Sequence, residues 1–498
     1  MLAWTIYISF FGAAVLMFLP AARPRAARIT ALLAALAGLA CALAGVVECR
    51  RAGGAGSIVD IANFSWIAEL GVRFHLASDG ISLTLVLLTG IAAVSGVLFS
   101  WNIERRAREY FALYLTLIGG VYGVFLSFDL FLLFVFYEIA IIPKYFLIAI
   151  WGSTCREYAA MKLALYSFVG SAMVLVGLLA AYIVSGSHTF DLVELAKYPF
   201  PVHFQSCAFI FVFAGFAILA GLWPFHTWAP AGHVAAPTGA SMLLAGVVMK
   251  LGAYGALRVA MTLFPAGLQA WHNVIAVLAV IGIVYGAMVA LVQQDFKFVI
   301  GYSSVSHMGF VLLGLMTLSQ IGLSGAVLQM FSHGIIAGLL FAVVGRMVYD
   351  RAHTRQLAEL QPMNLNRLMP FTAGVFVIAA AASMGLPGFS GFIAELQVLV
   401  GAWSAFPICA VAAGLGILIG VAYSLRVIIK AFFAEDAGHS PPTLARPLLP
   451  ISIPERAGAV ILLGATLLIG LCPGVLLDLI TPALHSPLMQ PLLRGAGQ

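Results

Sequence analysis

The chain has 498 residues, of which 62% are hydrophobic and only 9% are charged. Soluble domains carry charge on about a quarter of their residues, so this composition excludes a large soluble domain and indicates a polytopic membrane protein. The formal net charge of +6 does not indicate a nucleic-acid partner, because the basic residues lie mainly at the ends of apolar segments.

The six cysteines are scattered, and no two of them have the CxxC spacing of common metal sites. No glycine-rich phosphate loop follows a strand pattern. The sequence therefore predicts no catalytic redox centre, no iron–sulfur cluster and no metal site in this chain.

The apolar residues 1–20 are followed by Arg23, Arg25 and Arg28. A signal peptide has the reverse order, with positive charge before the apolar stretch and a cleavage site after it. We therefore expect a retained first helix. There is no Arg- and Ser-rich presequence, which favours a bacterial inner (plasma) membrane over an organelle.

The predicted fold class is an all-α polytopic membrane protein. At about 20 residues per crossing, the apolar segments accommodate about fourteen spans. The predicted spans lie near residues 2–20, 28–47, 78–100, 111–128, 129–150, 159–184, 204–224, 237–263, 272–292, 298–317, 321–348, 370–402, 405–430 and 458–478.

The basic residues predict how the chain is oriented. The odd-numbered connections contain 17 of the 25 Lys and Arg residues, and the even-numbered connections with the C-terminal tail contain six, including Arg258. By the positive-inside rule the odd connections are cytoplasmic and both termini are periplasmic. The remaining two basic residues, Lys144 and Lys250, fall inside spans.

Two spans contain a helix break. Pro224 lies in the segment LWPFHTWAP and Pro387 in the segment GLPGFSG. Proline removes a backbone donor, and broken membrane helices commonly line a site or a wet cavity. The two breaks are five spans apart, which predicts two inverted five-helix repeats with broken helices 7 and 12. The alternative is that each proline is a kink without a role.

These repeats divide the chain into four parts. Residues 1–110 contain helices 1–3, and residues 111–263 contain the first repeat, helices 4–8. Residues 264–430 contain the second repeat, helices 9–13, and residues 431–498 contain a C-terminal loop and helix 14.

Five spans each carry a titratable residue: Glu138, Lys250, His307, His333 and Glu395. An ionised group in the middle of a bilayer costs on the order of 2.5–3.5 kcal/mol or more, so such residues indicate function. Together they predict a lateral proton path, with bridging hydroxyls from Ser303, Ser304, Ser306 and Ser332. A single histidine in such a span is better explained by packing between helices.

Several motifs resemble one family closely: REYFALYL from Arg108, DLFLLFVFYE, PFHTWAP, QQDFKFVIGYSSVSHMGF from Gln293, YDRAHTR from Tyr349 and GLPGFSGFIAE. Together they resemble the antiporter-like membrane subunits of NADH–quinone oxidoreductase (respiratory complex I). The YDRAHTR stretch favours the M-type chains of that family.

The resemblance implies that Glu138 is the essential fifth-helix glutamate and Lys250 the eighth-helix lysine. It implies that His307 and His333 link them to Glu395, the twelfth-helix glutamate. Such a subunit pumps protons as part of a translocating enzyme, driven by quinone reduction elsewhere. FMN, iron–sulfur clusters and quinone are then expected in partner subunits, and the partners are other membrane-arm subunits.

The chain departs from the family pattern at several positions, which makes it a divergent member. Leu219 stands where a seventh-helix lysine is usual, and Ile118 where a fourth-helix glutamate is usual. Ala231 and Ala235 replace acidic residues. Our hypothesis is that Lys144, six residues past Glu138, replaces the missing cation; the alternative is that its ammonium reaches the cytoplasmic headgroups.

Three functions stay open at this point. The first is a proton-translocating complex I subunit. The second is a subunit of a multisubunit cation/proton antiporter or of a related membrane-bound hydrogenase. The third is a structural spacer that does not pump. The sequence leaves open the ion (H⁺ or Na⁺), the electron donor, the quinone and the neighbours.

Overall fold

The computed structural model describes residues 1–20, 22–51, 56–433 and 449–494. Within them, twelve helices are long and apolar enough to cross a membrane. The helical membrane fold class is confirmed. The number of fourteen spans stays a prediction, because the first helix and the two-part twelfth helix are shorter than that criterion.

The helices are α1 Ala3–Phe18, α2 Pro24–Arg51, α3 Gly80–Phe99, α4 Ala107–Leu126, α5 Leu130–Trp151, α6 Arg156–Ser185, α7a Val202–Ala220, α7b Trp228–Ala235, α8 Thr238–Met261, α9 Pro265–Val292, α10 Phe296–Met316, α11 Gln320–Ala352, α12a Pro370–Ser383, α12b Ser390–Ala405, α13 Pro407–Phe432, α14 Ile453–Leu471, α15 Gly474–Leu484 and α16 Gln490–Arg494. An antiparallel hairpin, β1 Val59–Ile67 and β2 Val72–Ser78, precedes α3. The span prediction missed this hairpin.

Two helices form the centre of the molecule. The apolar stretch of α8 and that of α11 are each 100% buried within the protein. Only 28% to 39% of the corresponding stretch is buried in α2, α6, α13 and α14. Polar side chains on α8 and α11 therefore face other helices, where partners can satisfy them.

The seventh and twelfth helices are interrupted as predicted. The seventh stops at Ala220 and resumes at Trp228, and the twelfth stops at Ser383 and resumes at Ser390. At the break in the seventh helix, the carbonyl of Ile218 accepts from Gly221 N at 3.2 Å and from the indole Nε1 of Trp228 at 2.7 Å.

The central helices also contain π-helical turns, at Leu244–Val248 and Ala256–Met261 in α8 and at Val343–Tyr349 in α11. Such turns shift the backbone ladder and are frequent at functional sites. In α8 the carbonyl of Ala245 accepts a hydrogen bond from the side chain of Lys250.

Isolated backbone bridges join even-numbered connections to one another and odd-numbered connections to one another. Leu76 pairs with Ser127, and Asp129 pairs with Asp191, which joins the second, fourth and sixth connections. Asp295 pairs with Gln356, which joins the ninth and eleventh. This alternation agrees with the predicted topology, whereas the side on which each set lies stays a prediction.

One predicted connection residue is placed differently. Arg258 lies inside α8, is 0% exposed and is ion-paired with Asp79. It is therefore not an exposed charge of the eighth connection. The predicted span 237–263 already contained Arg258, and the count of basic residues wrongly assigned it to the connection, because a buried partner from a distant segment cannot be seen in the local pattern. Arg446 and the side chain of Arg494, also used for orientation, lie outside the described parts.

Candidate functional site

The first part of the candidate site joins α8 to α11. The ammonium of Lys250 lies 2.7 Å from Nδ1 of His333 and 2.5 Å from the carbonyl oxygen of Ala245. Lys250 is 0% exposed and His333 is 4% exposed. A buried ammonium that donates to an imidazole can pass a proton to it directly.

The second part joins α10 to the broken twelfth helix. Nδ1 of His307 lies 2.9 Å from Oε1 of Glu395, and its Nε2 lies 3.1 Å from the Ser383 hydroxyl. The side-chain amide of Gln329 donates to the same Glu395 oxygen at 3.2 Å. Because Ser383 ends α12a and Glu395 lies on α12b, the break places both beside one imidazole.

The two parts meet between the histidines. The rings of His307 and His333 are 5.4 Å apart between centroids. A narrow cavity with room for about one ordered water adjoins both rings and the Glu395 carboxylate. The structure therefore brings four of the five predicted residues into one row, here called the central line: Lys250, His333, His307 and Glu395.

Glu138 lies apart from the central line. It is half-buried on α5, and its Oε1 has no hydrogen-bond partner among the described residues. Its carboxylate interacts with the Ser171 hydroxyl and with the charge of Lys144. Lys144 is 1% exposed and follows Pro143, which lies inside α5. The two charges interact without forming an ion pair within 4.0 Å.

An apolar layer on α7a separates Glu138 from Lys250. Phe216 packs edge-on against Tyr137, next to Glu138, with ring centroids 5.7 Å apart. The carbonyl oxygen of Phe216 lies against Gly252 of α8. A Cβ added at Gly252 would be only 2.4 Å from that oxygen. Leu219 lies in the same layer and is 1% exposed. In the parts of the chain that the structure describes, no hydrogen bond connects Glu138 with Lys250.

The predicted serines mostly bond to backbone rather than to the titratable groups. The hydroxyls of Ser303 and Ser304 donate to the carbonyl of Ile300, and that of Ser306 donates to the carbonyl of Ile283. Ser332 bonds instead to the Ser390 hydroxyl, at 2.8 Å. The Ser303 hydroxyl also interacts with the phenol of Tyr423.

Sequence reasoning missed Gln329, Ser383 and Tyr423. Gln329 lies four residues before His333 on one face of α11, which is a signal that could have been used. Ser383 and Tyr423 carry no such signal, because helix packing alone brings them beside His307 and Ser303.

Two further histidines lie near the break in the seventh helix. His233 is 0% exposed, and its Nε2 lies 3.4 Å from the sulfur of Met249. His226 is 2% exposed and packs edge-on against Tyr285 at 5.3 Å. Both are therefore buried between helices, where packing explains them as well as proton transfer does.

A separate polar cluster ties the hairpin to the loop after α6. Nδ1 of His75 lies 2.6 Å from Asp191, and its Nε2 lies 2.9 Å from Asp60. Burial by itself would lower the pKa of His75, but the two carboxylates outweigh it and hold the pKa above 6.5. Burial would raise the pKa of Asp191, but hydrogen bonds and the charge of His75 hold it below 3.8.

This cluster predicts how the attachment of the hairpin depends on pH. The raised pKa of His75 means that its contribution is full below about pH 6.5 and is lost as the pH rises through the folded-state value. The lowered pKa of Asp191 means that its contribution is lost as the pH falls through a value below 3.8. Hydrogen exchange of residues 59–78, corrected for intrinsic rates, should therefore be slowest between about pH 4 and 6.5.

The matched variant is His75→Gln, which keeps a hydrogen-bonding side chain without the titration. In this variant the corrected exchange rates should no longer rise between pH 6.5 and 9. An equal rise in the variant and the parent protein would contradict the assignment to His75.

No group of three or more His, Cys, Asp or Glu side chains in the described residues is arranged to hold a metal ion. The chemistry that the candidate site can perform is proton transfer between neighbouring titratable groups.

Comparison with known proteins identifies similar chains. The family described as NADH:quinone oxidoreductase/Mrp antiporter, TM, matches residues 127–420. NADH-quinone oxidoreductase subunit M of Rhodobacter capsulatus is 38% identical over 432 residues, covering 84% of this chain and 82% of the relative. The protein of the same name in Pseudomonas aeruginosa is 37% identical over 431 residues, covering 84% and 83%.

Solved structures show the same architecture. A chain of respiratory complex I from Thermus thermophilus with bound NADH matches with a TM-score of 0.89 and 27% identity over 100% of both chains. A chain of the Mrp complex from Dietzia sp. DQ12-45-1b matches with a TM-score of 0.86 and 23% identity over 99% of both chains, which shows a shared fold.

Proposed function

Because the chain belongs to the NADH:quinone oxidoreductase/Mrp antiporter membrane family, we propose that it is a proton-translocating, antiporter-like subunit of NADH–quinone oxidoreductase. The resemblance drawn from its motifs is confirmed by the family match and by relatives named subunit M. The observation that carries the proposed activity is the central line.

The central line supports stepwise proton transfer across the middle of the membrane. A protonated Lys250 can give a proton to His333, to which it is hydrogen-bonded at 2.7 Å. One water between the two histidines can carry the proton to His307. His307 then delivers it to Glu395 across a 2.9 Å hydrogen bond.

Glu138 acts on this line from a distance. The apolar layer of α7a leaves no direct hydrogen bond to Lys250, so Glu138 would influence the line through its charge or through transient water. A change in the ionisation of Glu138 alters the field at Lys250, because charges in a low-dielectric interior are weakly screened. Coupled quinone reduction in partner subunits would drive that change.

The enzyme role is that of a subunit in a proton-translocating NADH:quinone oxidoreductase, without a redox centre in this chain. FMN, iron–sulfur clusters and quinone would be bound by partner subunits, and the neighbours would be other membrane-arm subunits. The location that fits the bacterial relatives is the inner (plasma) membrane, with both termini periplasmic.

The division into two inverted repeats is part of the proposal, and paired backbone contacts support it. At the start of α5, Leu130 N donates to the carbonyl of Phe190 at 2.8 Å. At the start of α10, Phe296 N donates to the carbonyl of Arg355 at 2.8 Å. Helices α5 and α10 occupy equivalent places in helices 4–8 and 9–13, so the same contact occurs once in each proposed repeat.

Proton counting in Glu138→Gln tests the proposed function. The intact complex carrying this variant should keep its redox cofactors but translocate fewer protons per electron, because glutamine cannot ionise. Acidification of reconstituted vesicles measures the ratio. The control is Glu157→Gln, at the exposed start of α6. An unchanged ratio in Glu138→Gln would favour the structural spacer.

Purification of the native complex separates the proposed function from the cation/proton antiporter. Copurification of subunits with iron–sulfur clusters is expected for NADH–quinone oxidoreductase. Small membrane partners alone would indicate an antiporter.

A further inference from the structure

The polar face of α8 continues beyond Lys250 toward the predicted outer side. Tyr254 and Arg258 follow at intervals of four residues, so they lie near one face of the helix with Lys250. All three are 0% exposed. The central line uses only the first of them.

Arg258 is paired with a residue from the start of α3. Its Nη2 lies 2.5 Å from Oδ2 of Asp79, which is 1% exposed. The other Asp79 oxygen accepts from Ser82 N at 2.9 Å and caps α3. Nε and Nη1 of Arg258 are buried and make no hydrogen bond of standard geometry within the described chain, although the guanidinium interacts with the Tyr254 side chain. Such incompletely bonded buried donors indicate a place for water.

Hydroxyl groups lie between Lys250 and this ion pair. The Tyr254 hydroxyl lies 3.1 Å from the Ser82 hydroxyl and donates to the carbonyl of Phe125 at 3.1 Å. The Arg258 guanidinium carbon lies 5.5 Å from the centre of the Tyr254 ring. Tyr254 lies about one helical turn after Lys250, about 6 Å along the axis. The Lys250 ammonium is bonded to the carbonyl of Ala245, one turn before Lys250, so a proton reaches Tyr254 only when the lysine side chain rotates toward it or water bridges the two groups.

A cavity opens beside Ser78, the residue before Asp79. It has a volume of about 290 Å³, and its mainly apolar lining includes the carboxylates of Glu48 and Asp60. The cavity lies between the hairpin and the end of α2, on the side that the charge distribution predicts to be outward. The carboxylate of Glu48 favours the release of a positive charge in that direction, whereas that of Asp60 is already paired with His75.

We propose that Asp79 and Arg258 form an outward proton-release gate for Lys250, with Tyr254 and Ser82 as the relay. The proposal rests on the proposed function. Lys250 gives up one proton, the relay hydroxyls each accept one and pass one on, and the Asp79 carboxylate accepts it. Arg258 stays protonated throughout. Neutral Asp79 loses its attraction to Arg258, and the proton then leaves to water in the cavity.

Lys250 thereby becomes a branch point. A proton on Lys250 leaves either along the central line toward Glu395 or outward through the gate. A purely structural ion pair would hold α3 to α8 without carrying any protons. The two roles differ in what happens when the central line is blocked.

The test uses the intact complex in vesicles and compares proton-to-electron ratios. Glu395→Gln blocks the end of the central line, and Lys250→Met removes the branch point. With the gate present, Glu395→Gln should lose only part of the ratio that Lys250→Met loses. Adding Asp79→Asn and Arg258→Gln to the Glu395→Gln protein should increase the loss of the ratio to that of Lys250→Met. Asparagine still caps α3 but takes up no proton.

The paired substitution removes both buried charges together, so neither is left uncompensated. If that variant does not assemble, Tyr254→Phe with Ser82→Ala in the Glu395→Gln protein removes the relay and leaves the ion pair intact. The same increase in loss is then expected.

Equal losses in Glu395→Gln and Lys250→Met would overturn the gate, as would a relay variant that pumps like Glu395→Gln alone. An unchanged ratio in Lys250→Met would instead contradict the proposed function. The two failures are therefore distinguishable.

Discussion

Replacement of Lys250 by Met should reduce proton transfer through this subunit by about 10²-fold or more, because a positioned proton-transferring side chain contributes about 10²–10⁴-fold. Methionine has a similar length and fits an apolar core, so the change removes the titratable group with little change in volume. The measurement is the rate of vesicle acidification at a fixed rate of electron transfer.

The size of this effect follows from the position of Lys250. It is hydrogen-bonded to His333 and in the described chain is the residue from which the central line begins. Loss of its ammonium leaves Nδ1 of His333 and the Ala245 carbonyl without this donor. No neighbouring cation in the central line can substitute, since the other members are histidines and a carboxylate.

The matched control is Lys297→Met. Lys297 is also a buried lysine, 3% exposed, and its ammonium donates to the carbonyls of Val234 and Ala236. The loss of a buried ammonium is thus similar, but Lys297 lies outside the central line. Equal losses of acidification in both variants would assign the effect to folding rather than to proton transfer.

The sequence predicted the features that depend on local pattern. Apolar length located the spans, and proline located the breaks in the seventh and twelfth helices. Titratable residues in apolar surroundings predicted five site residues, of which the fold brings four together. Each of these signals lies within about 20 residues of sequence, and the cost of burying charge makes the last of them specific.

The sequence did not predict the features that depend on packing between distant segments. The sequence did not show that Arg258 forms a buried ion pair, because its partner, Asp79, is 179 residues away. The apolar layer around Leu219 separates Glu138 from the central line. It can be recognised only from the relative placement of three helices. Hydropathy also did not predict the hairpin, because the residues of β1 are largely exposed and form no long apolar run.

Replacement of Lys144 by Met should decrease the proton-to-electron ratio as much as Glu138→Gln does. Lys144 is 1% exposed, and its charge interacts with that of Glu138. Its burial disfavours the alternative in which the ammonium reaches the headgroups. Without Lys144 the ionised Glu138 loses a counter-charge, and an unmatched charge in the membrane costs on the order of 2.5–3.5 kcal/mol. That corresponds to about a 10²-fold change in the population of the ionised form.

A second substitution makes this prediction specific. Leu219→Lys places a lysine on α7a, where the family pattern has one, and in the Lys144→Met protein it should restore the ratio. Lys162→Met on α6 is the control for loss of a lysine near this region, and it should leave the ratio unchanged. If Lys144→Met pumps normally, the replacement hypothesis fails. If Lys144→Met is defective and Leu219→Lys does not restore pumping, the role of Lys144 is local to α5, because a cation restored on α7a cannot take its place.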